Sequence, residues 1–253
     1  MTNPINEKDV IEANRIYYDQ VANDYLRNES YAYTDEIVRD VRHLLEFSAQ
    51  NCGSQKVFLD LGCGSGFLSK LVNDSRLFES GFGIDVSQTQ IDLYSKNLSG
   101  SSFSAFMGDA ANLDFPDSSV DMIGGYSVLH HFFDYERVLK EACRVVKPGG
   151  CIYFDFEPNA DFKKSMKLLI DFRRWILDPS PTSGKGLEEV AEFHNNYALG
   201  IDPDQLLSKF EADLRVLKKG YRFPGTFAGK VLRQFSRLSS SLSPLFYFVA
   251  QKK

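Results

Sequence analysis

Residues 57–66 of this 253-residue chain read Val-Phe-Leu-Asp-Leu-Gly-Cys-Gly-Ser-Gly, an apolar run that ends in an acid and opens into glycines. Glycine tolerates positive φ and lets a ligand approach the backbone. Gly62, Gly64 and Gly66, with Cys63 among them, therefore suit a loop around a nucleotide-like ligand. Asp60 narrows that choice, because a carboxylate before the first glycine repels a pyrophosphate and suits an ammonium group. About 20 residues further on, Phe82-Gly83-Ile84-Asp85-Val86 places a second acid at the end of an apolar run. Asp85 can accept from both hydroxyls of a ribose, at about 1.5–3 kcal/mol for each such charged hydrogen bond. Ser87 can cap the helix that follows and so free Asp85 for a ligand. His130 and His131, in Ser127-Val-Leu-His-His-Phe-Phe, titrate near neutrality and are candidate general bases. Successive residues point in different directions, so at most one of the two faces a substrate. Each feature also has a plain structural reading: a strand-to-helix turn, a capping Asp and scaffold histidines.

These residues need elements to position them. Val57–Leu59 reads as a buried strand and Phe67–Val72 as the helix after the loop. Phe103–Met107 is strand-like and closes on Gly108-Asp109-Ala110. Val120-Asp121-Met122-Ile123 begins another strand that ends near Tyr126-Ser127. Arg144-Val-Val-Lys-Pro-Gly-Gly150 then turns at Pro148-Gly149 into a strand over Cys151–Asp155. Strands alternating with helices imply a parallel sheet covered on both faces. In such a sheet a ligand sits beyond the carboxyl ends of the strands, where Gly62, Asp85, Asp109 and Ser127 all fall.

In this order the motifs resemble those of the class I S-adenosylmethionine (SAM)-dependent methyltransferases, over roughly Lys56–Glu157. The flavour is that of the small-molecule group that includes the ubiquinone/menaquinone methyltransferases. The resemblance implies an α/β fold, a doubly wound, mostly parallel, seven-stranded Rossmann-like sheet with N-terminal helices and a helical cap insertion. It also implies SAM as cofactor, held by Asp60, Gly62, Cys63, Gly64, Gly66, Asp85, Val86 and Ser127. Asp109 would accept from the adenine amino group, with the Ala110 N–H facing the ring. Tyr18-Asp-Gln-Val-Ala-Asn-Asp-Tyr25 resembles a helix folded over the SAM site, which adds Tyr25. The implied reaction is methyl transfer to an O, N or C atom of a small metabolite, partly apolar or anionic, with His130 or His131 as base. Two departures weaken the quinone reading: Asp155-Phe156-Glu157 shifts an expected acid, and Val21-Ala22 stand where Met-Asn is usual. Gly125-Tyr126-Ser127-Val128 lacks the Asn/Asp-Pro-Pro-Tyr pattern of base and glutamine amino methylation. Two alternatives stay open: a non-catalytic SAM-binding subunit or sensor, and an NAD-dependent oxidoreductase, which Asp60 weighs against.

The chain reads as one domain over 1–253: N-terminal helices in 1–50, a SAM-binding core in 56–157, a candidate substrate cap in 158–208, and C-terminal strands and a helix in 209–253. The N-terminal helices are Glu7–Arg27 and Thr34–Ser48, the latter with Ile37, Val41, Leu44 and Leu45 on one face. The cap holds a helix over Phe162–Leu177, a loop of breakers over Asp178–Gly186, and a helix near Pro203–Phe210. Arg215–Leu217 and Leu245–Ala250 read as strands, with Thr226–Leu238 helical between them. With 43% hydrophobic and 25% charged residues, the composition is that of a globular enzyme. A net charge of −5 disfavours nonspecific nucleic-acid binding. From Leu206 onward, ten Lys and Arg stand against two Asp and Glu, which reads as a solvated face or a site for an anion. The basic edge of Phe162–Leu177 makes a membrane surface a secondary partner. No apolar run approaches a membrane span and no secretory signal is present. Cys52, Cys63, Cys143 and Cys151 lack metal-ligand spacing, so the expectation is a reduced, cytoplasmic chain without a metal; oligomeric state is not readable.

Overall fold

Short apolar runs ending in acid or glycine become the strands of one seven-stranded sheet in the computed structural model, which describes residues 5–22, 30–166, 186–196, 200–224 and 242–253. The strands are β1 Val57–Leu61, β2 Ser80–Asp85, β3 Phe103–Met107, β4 Val120–Tyr126, β5 Val146–Pro158, β6 Leu214–Arg222 and β7 Leu245–Lys252. Their order is β3-β2-β1-β4-β5-β7-β6. The first five run parallel, and β7 lies antiparallel between β5 and β6. Strand order reverses between β1 and β4, which leaves a crevice beyond their carboxyl ends.

The helices are α1 Glu7–Val21, α2 Asp35–Asn51, α3 Phe67–Asp74, α4 Gln88–Asn97, α5 Tyr135–Val145, α6 Leu187–Ala191, α7 Phe193–Asn196 and α8 Pro203–Lys209. Their starts follow from local chemistry. Asn6 and Asp9 form a reciprocal capping box on α1, Thr34 caps α2 and Ser87 caps α4. Ile37, Val41, Leu44 and Leu45 are buried along α2, as their spacing predicts.

The central strands β1, β4 and β5 feed two cores. Leu59, Leu61, Ile123 and Ile152 pack on one face, whereas Phe58, Met122, Cys151 and Tyr153 pack on the other. All seven residues of β4 are buried, which explains its near-continuous apolar character. Asp121 is the exception in that strand. Its carboxylate accepts from the Val57 N–H at 2.9 Å and from Lys147 Nζ at 2.9 Å, pinning β1 to β4 and to the start of β5. Burial opposes that charge, but Lys147 and the Val57 N–H outweigh it and lower the Asp121 pKa.

Several boundaries differ from expectation. Pro148-Gly149 does not end an element; it is an irregularity inside a longer β5, with Gly149 at φ +77° and a register shift opposite Val120 and Met122. β6 and β7 are longer than the apolar runs alone suggest, because antiparallel pairing recruits polar residues such as Lys218, Lys219 and Gln251. Part of the C-terminal basic excess is internally compensated: Lys219 pairs with Asp204 and buried Arg222 with Asp155. α1 ends at Val21, and of the helix expected over Phe162–Leu177, residues 160–166 are helical. The rest of that helix, Tyr25 and the Thr226–Leu238 helix lie outside the described residues. Among the described residues no helix is long and apolar enough to cross a membrane.

β2 runs hard against the glycine loop. A Cβ on Gly83 would stand 2.7 Å from Cys63 Sγ, 2.9 Å from Cys63 Cβ and 2.9 Å from Tyr94 Cε2. Gly53→Ala meets nothing within 4 Å. Urea denaturation should therefore show Gly83→Ala destabilised by about 1–3 kcal/mol through overpacking, with Gly53→Ala within about 0.5 kcal/mol of the parent.

Candidate active site

Beyond the carboxyl ends of β1, β2, β3 and β4 lies one pocket. Asp60, Gly62, Cys63, Gly64, Asp85, Val86, Asp109, Ala110, Ser127 and His131 all line it. Gly66 and His130 stand outside that lining, and Tyr25 is not among the described residues.

The glycines differ in what requires them. Gly62 sits at φ +58°, and a Cβ there would come within 2.0 Å of Val128 Cγ2, so packing against the loop after β4 demands glycine. Gly64, at φ +49°, faces open space: its nearest neighbour to a Cβ would be Gln90 Oε1 at 3.8 Å. That Gln90 oxygen is buried and has no hydrogen-bond partner among the described residues. An unpartnered acceptor beside a bare α-carbon is what a ligand donor would complete.

The three strand-end acids are held differently. Asp60 is buried, and its Oδ2 accepts from the Ser69 N–H at 3.1 Å and the Ser69 hydroxyl at 2.7 Å. Burial dominates over those two bonds and raises its pKa to about 7. Asp85 is half-buried, with Oδ2 accepting from the Gly64 N–H at 2.9 Å and Oδ1 from the Ser87 N–H at 2.9 Å. Burial pushes its carboxyl up, and the N–H groups of Ser87, Gly64 and Val86 pull it back in part. Ser87 does cap α4 through the Gln90 N–H. It does not thereby free Asp85, which fixes the turn and the glycine loop together. Asp109 Oδ1 accepts from the Ala111 N–H at 2.9 Å and shapes the bend after β3.

The far wall is built around a buried carboxylate. Ser127 leaves β4 at φ +54°, a left-handed conformation that a non-glycine residue rarely adopts. The next three N–H groups, of Val128, Leu129 and His130, all reach Glu157, at 2.8, 2.9 and 3.2 Å. Glu157 Oε2 also accepts from His130 Nδ1 at 2.8 Å. Glu157 is fully buried, so these donors are what make its charge tolerable. His131 Nδ1 donates to the Ala191 carbonyl at 3.0 Å, which leaves Nε2 to accept from the Tyr18 hydroxyl at 3.0 Å. Glu192 completes the cluster, with one oxygen 3.5 Å from His130 Nε2 and the other 3.7 Å from His131 Nε2.

The two imidazoles therefore behave oppositely. Burial favours a neutral His130, but Glu192 and Glu157 outweigh it and raise its pKa to about 9. Burial and the neighbouring His130 charge lower that of His131. Of the pair, His131 lines the pocket and His130 stands behind it.

α1 closes the pocket. Val10, Ile11, Asn14 and Tyr18 line it, and the helix is latched by Asp19, which accepts from the Ser87 hydroxyl at 2.6 Å and the Thr89 N–H at 3.2 Å. Asn14 Nδ2 donates to the His131 carbonyl at 3.2 Å. α6 packs on α1, and α7 packs on the turn at Leu129–His131. Sequence reasoning missed Gln90, Glu157 and Glu192 as site residues. Gln90 and Glu192 carry no motif, whereas Glu157 is visible only as part of Asp155-Phe156-Glu157, where an expected acid is shifted.

Residues 59–154 match the family described as methyltransferase domain. The phthiotriol/phenolphthiotriol dimycocerosates methyltransferase of Mycobacterium tuberculosis is 32% identical over 105 residues, 41% of this chain and 39% of that protein. The 27-O-demethylrifamycin SV methyltransferase of Amycolatopsis mediterranei is 29% identical over 165 residues, 62% and 51% of the two chains. The chain thus spans less than two thirds of the length of these curated relatives. Among solved structures, magnesium protoporphyrin IX methyltransferase from Synechocystis PCC 6803 with bound SAH superposes with a TM-score of 0.61 at 13% identity, covering 94% of this chain and 98% of that one.

The Glu157 carboxylate should hold the wall in place. Glu157→Ala strands three N–H groups and a buried imidazole, and denaturant unfolding should show a loss of about 3–5 kcal/mol.

Proposed function

We propose that residues 59–154, which match the methyltransferase domain family, are a class I, SAM-dependent methyltransferase core, and that the chain transfers the methyl group of SAM to a small, partly apolar metabolite. The observation that carries this reading is the convergence of Asp60, Asp85 and Asp109 on one pocket beside the open face of Gly64. Acceptors outnumber donors there, as the ammonium, ribose hydroxyls and adenine amino group of SAM require and a pyrophosphate does not. When bound, SAM supplies an electrophilic methyl on a sulfonium.

The chain's own residues position and enclose. Asp60 and Gln90 Oε1 meet the ammonium end, and Gly64 leaves room for the methionine portion. Asp85 takes the ribose hydroxyls while keeping its Gly64 bond, because a carboxylate has about four acceptor sites. Asp109 takes the adenine amino group with Ala110 beneath the ring. Val10, Ile11, Phe132 and Phe133 give the acceptor end an apolar wall, with His131 and Tyr18 as its polar pair. In-line displacement depends mostly on this alignment and on exclusion of water by α1. Of the two histidines His131 lines the pocket beside Tyr18, and we assign it the contact to an acceptor hydroxyl or amine. We assign acceptor choice to the cap at 158–208, whose α6 and α7 lie against α1 and the histidine turn. The four cysteines are free thiols, which suits a reducing compartment such as the cytoplasm.

The deciding assay incubates the full chain with methyl-labelled SAM and fractionated metabolite extract. Label should appear in a small molecule and disappear with Gly64→Val. Saturable SAM binding without transfer to any fraction would instead favour a sensor, and nicotinamide cofactor binding would favour an oxidoreductase.

Two further outcomes follow from the pocket. Gly64→Val fills the open face and should abolish S-adenosylhomocysteine (SAH) binding by calorimetry, with a stability loss of about 1–3 kcal/mol from its left-handed backbone. Asp60, with its pKa raised to about 7, carries a proton in the free pocket below neutrality and must lose it to meet an ammonium. SAH affinity should therefore rise between pH of about 6 and about 8, with proton release seen as a buffer-dependent binding heat. Asp60→Asn should flatten that dependence.

A further inference from the structure

We propose that His130 Nε2, His131 Nε2 and the Glu192 carboxylate form a binding site for one divalent transition-metal ion of the zinc type, at the acceptor end of the pocket. The three donors lie within 4.8 Å of one another. Glu192 reaches toward both imidazoles, at 3.5 and 3.7 Å. The two distances belong to different carboxylate oxygens, so one oxygen must turn between the rings and the three donors must close from within 4.8 Å toward the roughly 3.3 Å edge of a tetrahedral site with bonds of about 2.0–2.1 Å.

The second observation is what lies behind the donors. Metal-binding imidazoles characteristically donate their other ring N–H to a carboxylate or a backbone carbonyl, which fixes the tautomer and aims the lone pair. Both rings here have that arrangement: His130 Nδ1 on Glu157 at 2.8 Å, and His131 Nδ1 on the Ala191 carbonyl at 3.0 Å. Glu157 is itself fixed by three backbone N–H groups, so the His130 ring is held rigidly. Two carboxylates face two imidazoles and the ammonium of Lys163, whose charge interacts with Glu192. An entering ion displaces the Nε2 proton of His130; with both imidazoles then neutral, the two carboxylates and Lys163 leave one negative charge for the cation. Two nitrogen donors favour zinc, cobalt, nickel or ferrous ions over magnesium or calcium.

The Tyr18 hydroxyl donates to His131 Nε2 at 3.0 Å, so it must swing off that lone pair for the ion to bind, and it then borders the coordination space on the pocket side. An acceptor oxygen entering there would be oriented by the ion, which would also stabilise its deprotonated form. The metal's use rests on the methyl-transfer reading, but its binding does not. Sequence spacing hid the site, because Glu192 arrives from a separate helix pair.

The test uses the full chain freed of metal by chelation and titrated with Zn²⁺ or Co²⁺ alone, followed by calorimetry and Co²⁺ absorption. One ion should bind per chain, with a cobalt band of nitrogen–oxygen ligation and a raised melting temperature. Glu192→Gln and, separately, His131→Gln should each weaken binding by at least about 10- to 100-fold. Glu192 is partly exposed, so its variant should still fold in the absence of metal, with a cooperative melt at a modestly lower temperature from the lost His130 contact. No stoichiometric binding, a thiolate-type cobalt spectrum, or unchanged affinity in the folded Glu192→Gln variant would overturn the proposal. SAH titration of the same metal-free protein reads the methyl-transfer assignment independently.

Discussion

Five parallel strands force every loop that leaves their carboxyl ends onto one side of the sheet, and the reversal of order between β1 and β4 opens a crevice there. The site depends on this constraint. Asp60, Asp85, Asp109 and Ser127 sit far apart in the chain, yet each ends or follows a strand and so each reaches the same pocket. No single one of them specifies a ligand. Their convergence does, because it assembles acceptors at separations that only the strand spacing sets.

Holding those loops requires buried charge, and the structure satisfies that charge with backbone donors. Asp85 takes the Gly64 and Ser87 N–H groups, while Glu157 takes three consecutive N–H groups and an imidazole. A buried carboxylate is costly unless its lone pairs are met, and these are met by groups that would otherwise be orphaned in a turn. Asp60 is the contrast. Among the described residues only Ser69 supports it, burial prevails, and its pKa is raised to about 7. Gln90 Oε1 is buried and has no partner among the described residues. Fully satisfied carboxylates shape the pocket, and the under-satisfied acceptors are the ones the proposed function assigns to its ligand.

The strand-end residues of the pocket were legible in the sequence because they sit in contiguous strand–turn motifs, where apolar run, acid and glycine follow in order. The histidine wall was not. His130 and His131 are adjacent, and only the turn after Ser127 decides that His131 enters the pocket while His130 turns back to Glu157. Glu157 reads from the sequence only as part of Asp155-Phe156-Glu157, where an acid expected from the quinone methyltransferase resemblance is shifted. Strand β5 carries a register shift between Phe154 and Glu157, with Phe156 at φ +65°, and that irregularity re-aims the chain beneath the histidine turn. Glu192 and Gln90 meet their neighbours only through tertiary packing of helices, which no local pattern encodes. The same limit applies to the ends of β6 and β7, whose polar residues are strand because β5 offers an edge.

The most direct test is a crystal structure of the full chain with SAH at saturation. The ribose oxygens should lie within hydrogen-bond distance of Asp85, the adenine amino group against Asp109, and the amino-acid end between Asp60 and Gln90 with no side chain displaced at Gly64. A nucleoside bound elsewhere, or a saturated crystal in which Asp85 contacts only Gly64 and Ser87, would contradict the assignment of this pocket.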